Sequence, residues 1–278
     1  MQRLYKIVNL SRPVIYLAIT IGILIPRIRP IGIPIAISDT TRSYYNFING
    51  LKPGDILWLD SHFALPAAVE CVPQMNATAY HAHSRGVKIL LTAMSAEGKP
   101  FAENTLQALL QQGAKYGEDV VYLGFLAGEE ATISSMLRDL HKTVPNDYLG
   151  KPLSGYPLTA RIKSGNEIRA AASVTSSSDT PDIWTRQIKP FPNLAFLNLS
   201  NSTNWPKVQP YIATGQIKAG LNGSRGAAEY ELLLNRKGQA VSSMDATSIA
   251  YLVFIGYIIC GNLAHYLKPK DVAGQRGK

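Results

Sequence analysis

The run SIAYLVFIGYIICGNLAHYL, from Ser248 to Leu267, holds twenty residues without one Asp, Glu, Lys or Arg. A bilayer core of ~30 Å is crossed by about twenty mostly apolar helical residues, so this pattern predicts a transmembrane helix. Its main polar breaks are Tyr251, Tyr257 and Tyr266, a residue type that favours membrane interfaces; Asn262 and His265 fall near its end. A second apolar run, VIYLAITIGILIP from Val14 to Pro26, has thirteen residues, a length that suits a signal-peptide core as well as a short span. No small-x-small cleavage site follows it, and Leu10 with a snorkelling Arg12 extends its buried part by a turn, which favours a retained anchor.

Between these runs the periodicity changes. Prolines at 26, 30 and 34 remove amide donors and hold φ, so residues 27–37 are expected to run extended as a collar. Ser38 or Asp39 can cap a helix through DTTRSYYNFINGL, stopped by Gly50. From Pro53 onward, short apolar runs alternate with 3-to-4-spaced ones. Strands are predicted at Asp55 to Asp60, Val87 to Met94, Asp119 to Phe125, Ile168 to Thr175 and Leu194 to Leu199. Helices are predicted at Pro73 to Arg85, Pro100 to Tyr116, Glu129 to Lys142 and Pro181 to Lys189. The segment PYIATGQIKAGLNGSRGAAEYELLLNRKG reads as two short helices joined by glycines.

Strands alternating with helices over short connections predict an α/β fold with a doubly wound, mostly parallel sheet, Rossmann-like or flavodoxin-like, between N- and C-terminal transmembrane helices. The chain then divides into an anchor (1–26), the Pro-rich collar (27–37), an α/β domain (38–245), a transmembrane helix (246–267) and a basic tail (268–278).

Charge sharpens this division. The formal net charge of +9 suggests nucleic acid until it is mapped: residues 38–247 carry 19 Lys and Arg against 18 Asp and Glu. The excess sits in the flanks, at Arg3, Lys6, Arg12, Arg27 and Arg29 and at Lys268, Lys270, Arg276 and Lys278. Basic residues beside apolar spans match anionic lipid and the positive-inside rule, so the expected partner is the lipid bilayer and not nucleic acid. Seven basic residues in the tails against five near the domain ends favour cytoplasmic termini and an extracytoplasmic domain. Of the two cysteines, Cys260 lies in the predicted span and Cys71 outside it, which excludes a disulfide framework.

GQIKAGLNGSRGAAEYELLL (Gly215 to Leu234) resembles the C-terminal signature of an uncharacterised family of membrane-anchored α/β proteins of archaea and bacteria. RPIGIPIAIS (Arg29 to Ser38), Pro73 with His81, YGEDVVYLGF (Tyr116 to Phe125) and the ProAsnAspTyr at 145–148 agree with it. The resemblance spans roughly residues 26–235. It implies the fold and the anchor and supplies no catalytic residues. After the first strand the chain departs from the Asp-Tyr of that family, since Asp60 is followed by Ser61 and His62.

Ligands of open parallel sheets bind beyond the carboxyl ends of the strands. Four polar clusters are expected there: Asp60, Ser61 and His62; Ser95 and Glu97; Gly128 to Glu130; and Thr175 to Asp179. Asp60, Ser61 and His62 are the candidate acid, nucleophile and base, although no GxSxG elbow presents Ser61. Asp179 is a candidate anion-binding residue, but with Asp179 or Thr180 as the helix cap before Pro181 this segment is explained without a ligand. Gly223, Ser224 and Arg225 could hold phosphate at a helix start; they lack the P-loop ending and serve equally as close packing. His81 and His83 fall on different helix faces and cannot share a metal, so no metal is expected, and no cofactor motif appears. The function expected from these signals is a membrane-tethered, noncatalytic structural or assembly module. The alternatives are a membrane-bound hydrolase or transferase using the strand-end residues and a small-ligand or anion receptor. Asn262, costly against lipid, points to a homo-oligomer or a larger membrane complex.

Overall fold

A computed structural model of the chain describes residues 12–266; the tail expected at 268–278 and the first eleven residues of the expected anchor lie outside the described residues. In chain order the elements are α1 (Arg12–Ile28), α2 (Asp39–Asn49), β1 (Ile56–His62), α3 (Ala68–Ser84), β2 (Lys88–Ala93), α4 (Lys99–Gln111), β3 (Val120–Phe125) and α5 (Glu129–Arg138). There follow α6 (Leu140–Thr143), β4 (Ala170–Thr175), α7 (Thr180–Gln187), β5 (Ala195–Ser200), α8 (Trp205–Ala213), β6 (Ala219–Asn222), α9 (Gly223–Leu233) and α10 (Gln239–Tyr266). Among the described residues, 35–236 form one compact unit, and 12–34 with 237–266 form the other.

The larger unit is an α/β fold around a six-stranded, all-parallel sheet ordered β3-β2-β1-β4-β5-β6. This is the strand order of doubly wound Rossmann sheets, and the direction of winding reverses between β1 and β4. Strands buried on both faces need apolar residues in both registers. Accordingly Leu57 and Leu59 of β1 join one core with Met75 of α3, Leu106 of α4 and Tyr230 of α9. Ile56 and Trp58 join the other, with Met136 of α5, Trp184 of α7 and Trp205 of α8. Trp58 meets Trp184 edge to face at 4.8 Å, and Trp184 stacks on Phe196 at 5.2 Å.

Three expectations need correction. The stretch read as helices joined by glycines contains the sixth strand, Ala219–Asn222. Gly220 is the reason it escapes the pattern and also the reason it pairs: a Cβ there would lie 2.4 Å from the Asn198 carbonyl oxygen and 3.1 Å from the Trp205 ring. Helix α3 starts at Ala68, five residues before Pro73, because the 3-10 turn Leu65–Ala67 leads straight into it. Helix α5 stops at Arg138, where extended Asp139 caps α6 by accepting the Lys142 amide. The cap of α2 is Ser38, as one of the two expected choices, and its side chain accepts the Thr41 amide.

In the smaller unit, α1 packs along α10, with Gly22 against Ile249. The segment Gln239–Leu263 is long and apolar enough to cross a membrane, whereas the apolar helix Pro13–Ile28 is shorter than a typical span. Helix α10 begins before the expected span, and Asp245 in its second turn ties down the Pro-rich segment. Its carboxylate accepts the amides of Ile31, Gly32 and Ile33 at 2.7, 2.7 and 2.8 Å.

Candidate functional site

Side chains alternate across a strand, so consecutive residues of β1 part company at its carboxyl end. Asp60 and His62 enter the layer of α5 and α7 with Trp58, and Ser61 enters the opposite layer with Leu57 and Leu59. Ser61 is fully buried, and its hydroxyl donates to the Gly98 carbonyl at 3.0 Å. The expected acid, nucleophile and base therefore do not assemble, because a serine between them in a strand faces away from both.

Asp60 has no exposed surface and sits in a polar row across three strands, its register partners being Thr92 of β2 and Ser173 of β4. Thr92 donates to Oδ1 at 2.9 Å while accepting the Trp58 indole N–H at 2.8 Å, and Ser173 donates to Oδ2 at 3.1 Å. Burial pushes the Asp60 carboxyl up to about 6, even though His62 and these hydrogen bonds favour the ionised form. An acid raised by desolvation at a strand end is a recognised mark of a functional site.

One step further out, His62 is nearly buried and held on both ring nitrogens. Nε2 lies 3.3 Å from Glu129 Oε1, and Nδ1 lies 3.5 Å from Thr180 Oγ1, which itself meets Thr175 Oγ1 at 2.8 Å. Glu129 holds a left-handed backbone at φ 36°, next to Gly128 at φ 99°. Left-handed geometry in a non-glycine residue is costly and gathers at ligand sites. Here it brings the carboxylate to His62.

His62 opens on a cleft of about 310 Å³ at the β1–β4 reversal. Phe63, Ala64, Ser95, Ala96 and Glu97 line it on one side and Ser176 and Ser177 on the other. Loop hydrogen bonds shape it: the amides of Ala64 and Leu65 donate to Ser176 Oγ and Glu97 Oε2, and Ser95 Oγ donates to the Phe63 carbonyl. Members of the four expected polar clusters thus meet at this crevice: His62, Ser95, Glu97, Ser176 and Ser177 line it, and Glu129 joins through His62. The residues missed are Thr92 and Ser173, polar residues inside otherwise apolar strands; Thr180, expected only as a possible cap, starts α7 and faces His62. No Lys or Arg lines the crevice, and the connection His62–Ala67 has no glycine to let a backbone approach a pyrophosphate.

The other candidates stand elsewhere. Asp179 is exposed before α7; it makes no side-chain cap and accepts from Ser178 at 3.0 Å. Gly223 starts α9 at φ 51°, and a Cβ there would lie 2.3 Å from Glu70 Oε2 and 2.1 Å from Ser202 Oγ. The carboxylate of Glu70, hydrogen-bonded to Ser202, thus already sits where an anion would approach this helix start. Ser224 is half-buried, and Arg225 turns back to Glu229, donating through Nε at 2.8 Å. His81 is buried with Nδ1 2.7 Å from the Tyr230 hydroxyl, and burial, with Arg85 beside it, lowers it to about 4. No group of three or more His, Cys, Asp or Glu suited to a metal occurs among the described residues.

Comparison of the chain with family models, curated proteins and solved structures gives no match.

Proposed function

We propose that this chain is a membrane-tethered, noncatalytic α/β module that binds a small uncharged or basic ligand in the crevice at the β1–β4 reversal. The observation that carries this reading is the crevice itself, roofed by His62 and its Glu129 partner at the place where doubly wound sheets take ligands. Its walls offer hydroxyls, one carboxylate and no cation, which disfavours phosphates and other anions. Against turnover stands Ser61, buried on the wrong face and already bonded to Gly98. The test is a thermal-shift screen of the full chain in mild detergent against sugars, polyols, nucleosides and amines, with nucleotides as the anionic arm. Neutral or basic hits are expected to raise Tm in the wild type and to lose at least tenfold in affinity in His62→Ala. Hits confined to nucleotides, or unaffected by His62→Ala, would contradict it.

A hydrolase or transferase is the second reading, favoured by one observation: His62 held by Glu129 is a base with its orienting acid. It needs a nucleophile from outside the expected set.

The tether also supports assembly and orientation. Asn262 stays exposed on α10, where facing lipid is costly and pairing with another copy relieves the cost. With α1 as a second, short span, both termini lie in the cytoplasm and the domain outside. A membrane-impermeant lysine crosslinker on intact cells is expected to give oligomer bands that weaken in Asn262→Leu. Bands only after permeabilisation would reverse the orientation, and monomer alone in both cases would exclude assembly.

A further inference from the structure

The smaller unit carries a second cleft, of about 320 Å³, where α1 ends and α10 begins. Its walls include Arg27, Pro30, Lys237, Gln239 and Ser242. Hydrogen bonds across the unit hold it in shape. Ser242 Oγ donates to the Pro26 carbonyl at 2.9 Å, Arg27 Nη1 to Ser243 Oγ at 3.2 Å, and Lys237 Nζ to the Ile31 carbonyl at 2.6 Å. Two cations share this cleft, and neither forms an ion pair among the described residues. Asp245, the one acid of α10, is committed to the three amides of Ile31, Gly32 and Ile33.

The level of the cleft along the helices decides what reaches it. The charge-free run of α10 begins at Ser248, six residues or about 9 Å of helix beyond Ser242, and on α1 the exposed apolar residues Ile23, Leu24 and Ile25 lie within about a turn of Arg27. In a bilayer this is headgroup depth, where a guanidinium, an ammonium and a hydroxyl meet lipid phosphate. We propose that the cleft binds the phosphate of an anionic phospholipid, with Arg27 and Lys237 as its two cationic ligands. This rests on the membrane reading of α10.

The test uses the full chain in mixed micelles of phosphatidylcholine and phosphatidylglycerol, with retained lipid counted by native mass spectrometry. The wild type is expected to retain phosphatidylglycerol over phosphatidylcholine, and Arg27→Gln or Lys237→Gln to cut that preference about fivefold each. Arg29→Gln, which removes the same charge outside the cleft, is expected to leave it within about twofold. Equal loss in all three variants would reduce the site to diffuse charge and overturn the proposal. So would inorganic phosphate that displaces the lipid at equal concentration, since the site would then serve a free anion. Release of the chain from vesicles by alkaline carbonate would overturn the membrane reading itself, whereas a chain that stays without lipid preference overturns the headgroup site alone.

Discussion

Asp60→Asn is expected to stabilise the chain above pH 6 by about 2 to 3 kcal/mol and to remove a pH dependence of opposite sign to the usual carboxylate effect. The folded carboxyl titrates at about 6, above its ordinary 3.8, because burial penalises the charge more than the Thr92, Ser173 and His62 contacts favour it. Between those two values the folded state holds the proton that the unfolded chain has lost. Stability from this group is therefore greatest below about 3.8 and declines as pH rises through about 6. An asparagine keeps an acceptor for Thr92 and can donate to Ser173, while it leaves no charge to bury. Denaturation followed by tryptophan fluorescence is a direct readout, since Trp58, Trp184 and Trp205 all lie in the layer that contains Asp60. The difference between variant and wild type should grow from pH 4 to pH 7 and then level off. A variant less stable than wild type at every pH would show that the ionised group is well paired.

Glu229→Ala is expected to cost about 2 to 4 kcal/mol. The Glu229 side chain is 1% exposed. Its carboxylate accepts the Ser38 amide at 3.0 Å and the Ser38 hydroxyl at 2.6 Å, with Arg225 Nε at 2.8 Å. Burial alone would raise this carboxyl, but the hydrogen bonds from Ser38, Thr41 and Arg225 outweigh it and hold it below the ordinary range. Its contribution is thus present at neutral pH and is lost on acidification, the reverse of Asp60. Truncation leaves the Ser38 amide without its acceptor and loosens the start of α2, whose Tyr44 and Ile48 are fully buried. Because Arg225 is mostly exposed, water takes over its half of the pair, which keeps the cost below that of a fully buried pair. Glu229→Gln, which still accepts from Ser38, should recover most of the loss. Urea titration measures both, and an alanine variant within about 0.5 kcal/mol of wild type would contradict the argument.

Glu229 also explains what sequence could and could not supply. Two distant segments, RPIGIPIAIS and GSRGAAEYE, meet through Ser38 and Glu229, with the Arg225 guanidinium 3.5 Å from the Ala36 carbonyl. Local pattern cannot show a bond between residues 191 apart in sequence. The parallel α/β architecture was legible, because strands buried on both faces read as unbroken apolar runs such as DILWLD. The sixth strand was not, since its glycine is set by close approach to Asn198 and Trp205, a tertiary demand. At the site, proximity in sequence misled: Asp60, Ser61 and His62 look like one cluster, yet strand alternation puts Ser61 on the far face. The row Thr92, Asp60, Ser173 was visible only as single polar residues in separate apolar runs, and it is parallel register that joins them.

On the proposed reading, the crevice under His62 binds its ligand and does not convert it. Titration calorimetry on the full chain in detergent, with the screened sugars, nucleosides and amines, tests it together with chromatography of the same samples after long incubation. The expected result is saturable binding weakened at least tenfold by His62→Ala, with the added compound recovered unchanged. Product that accumulates with the wild type and vanishes with His62→Ala would contradict it and establish an enzyme.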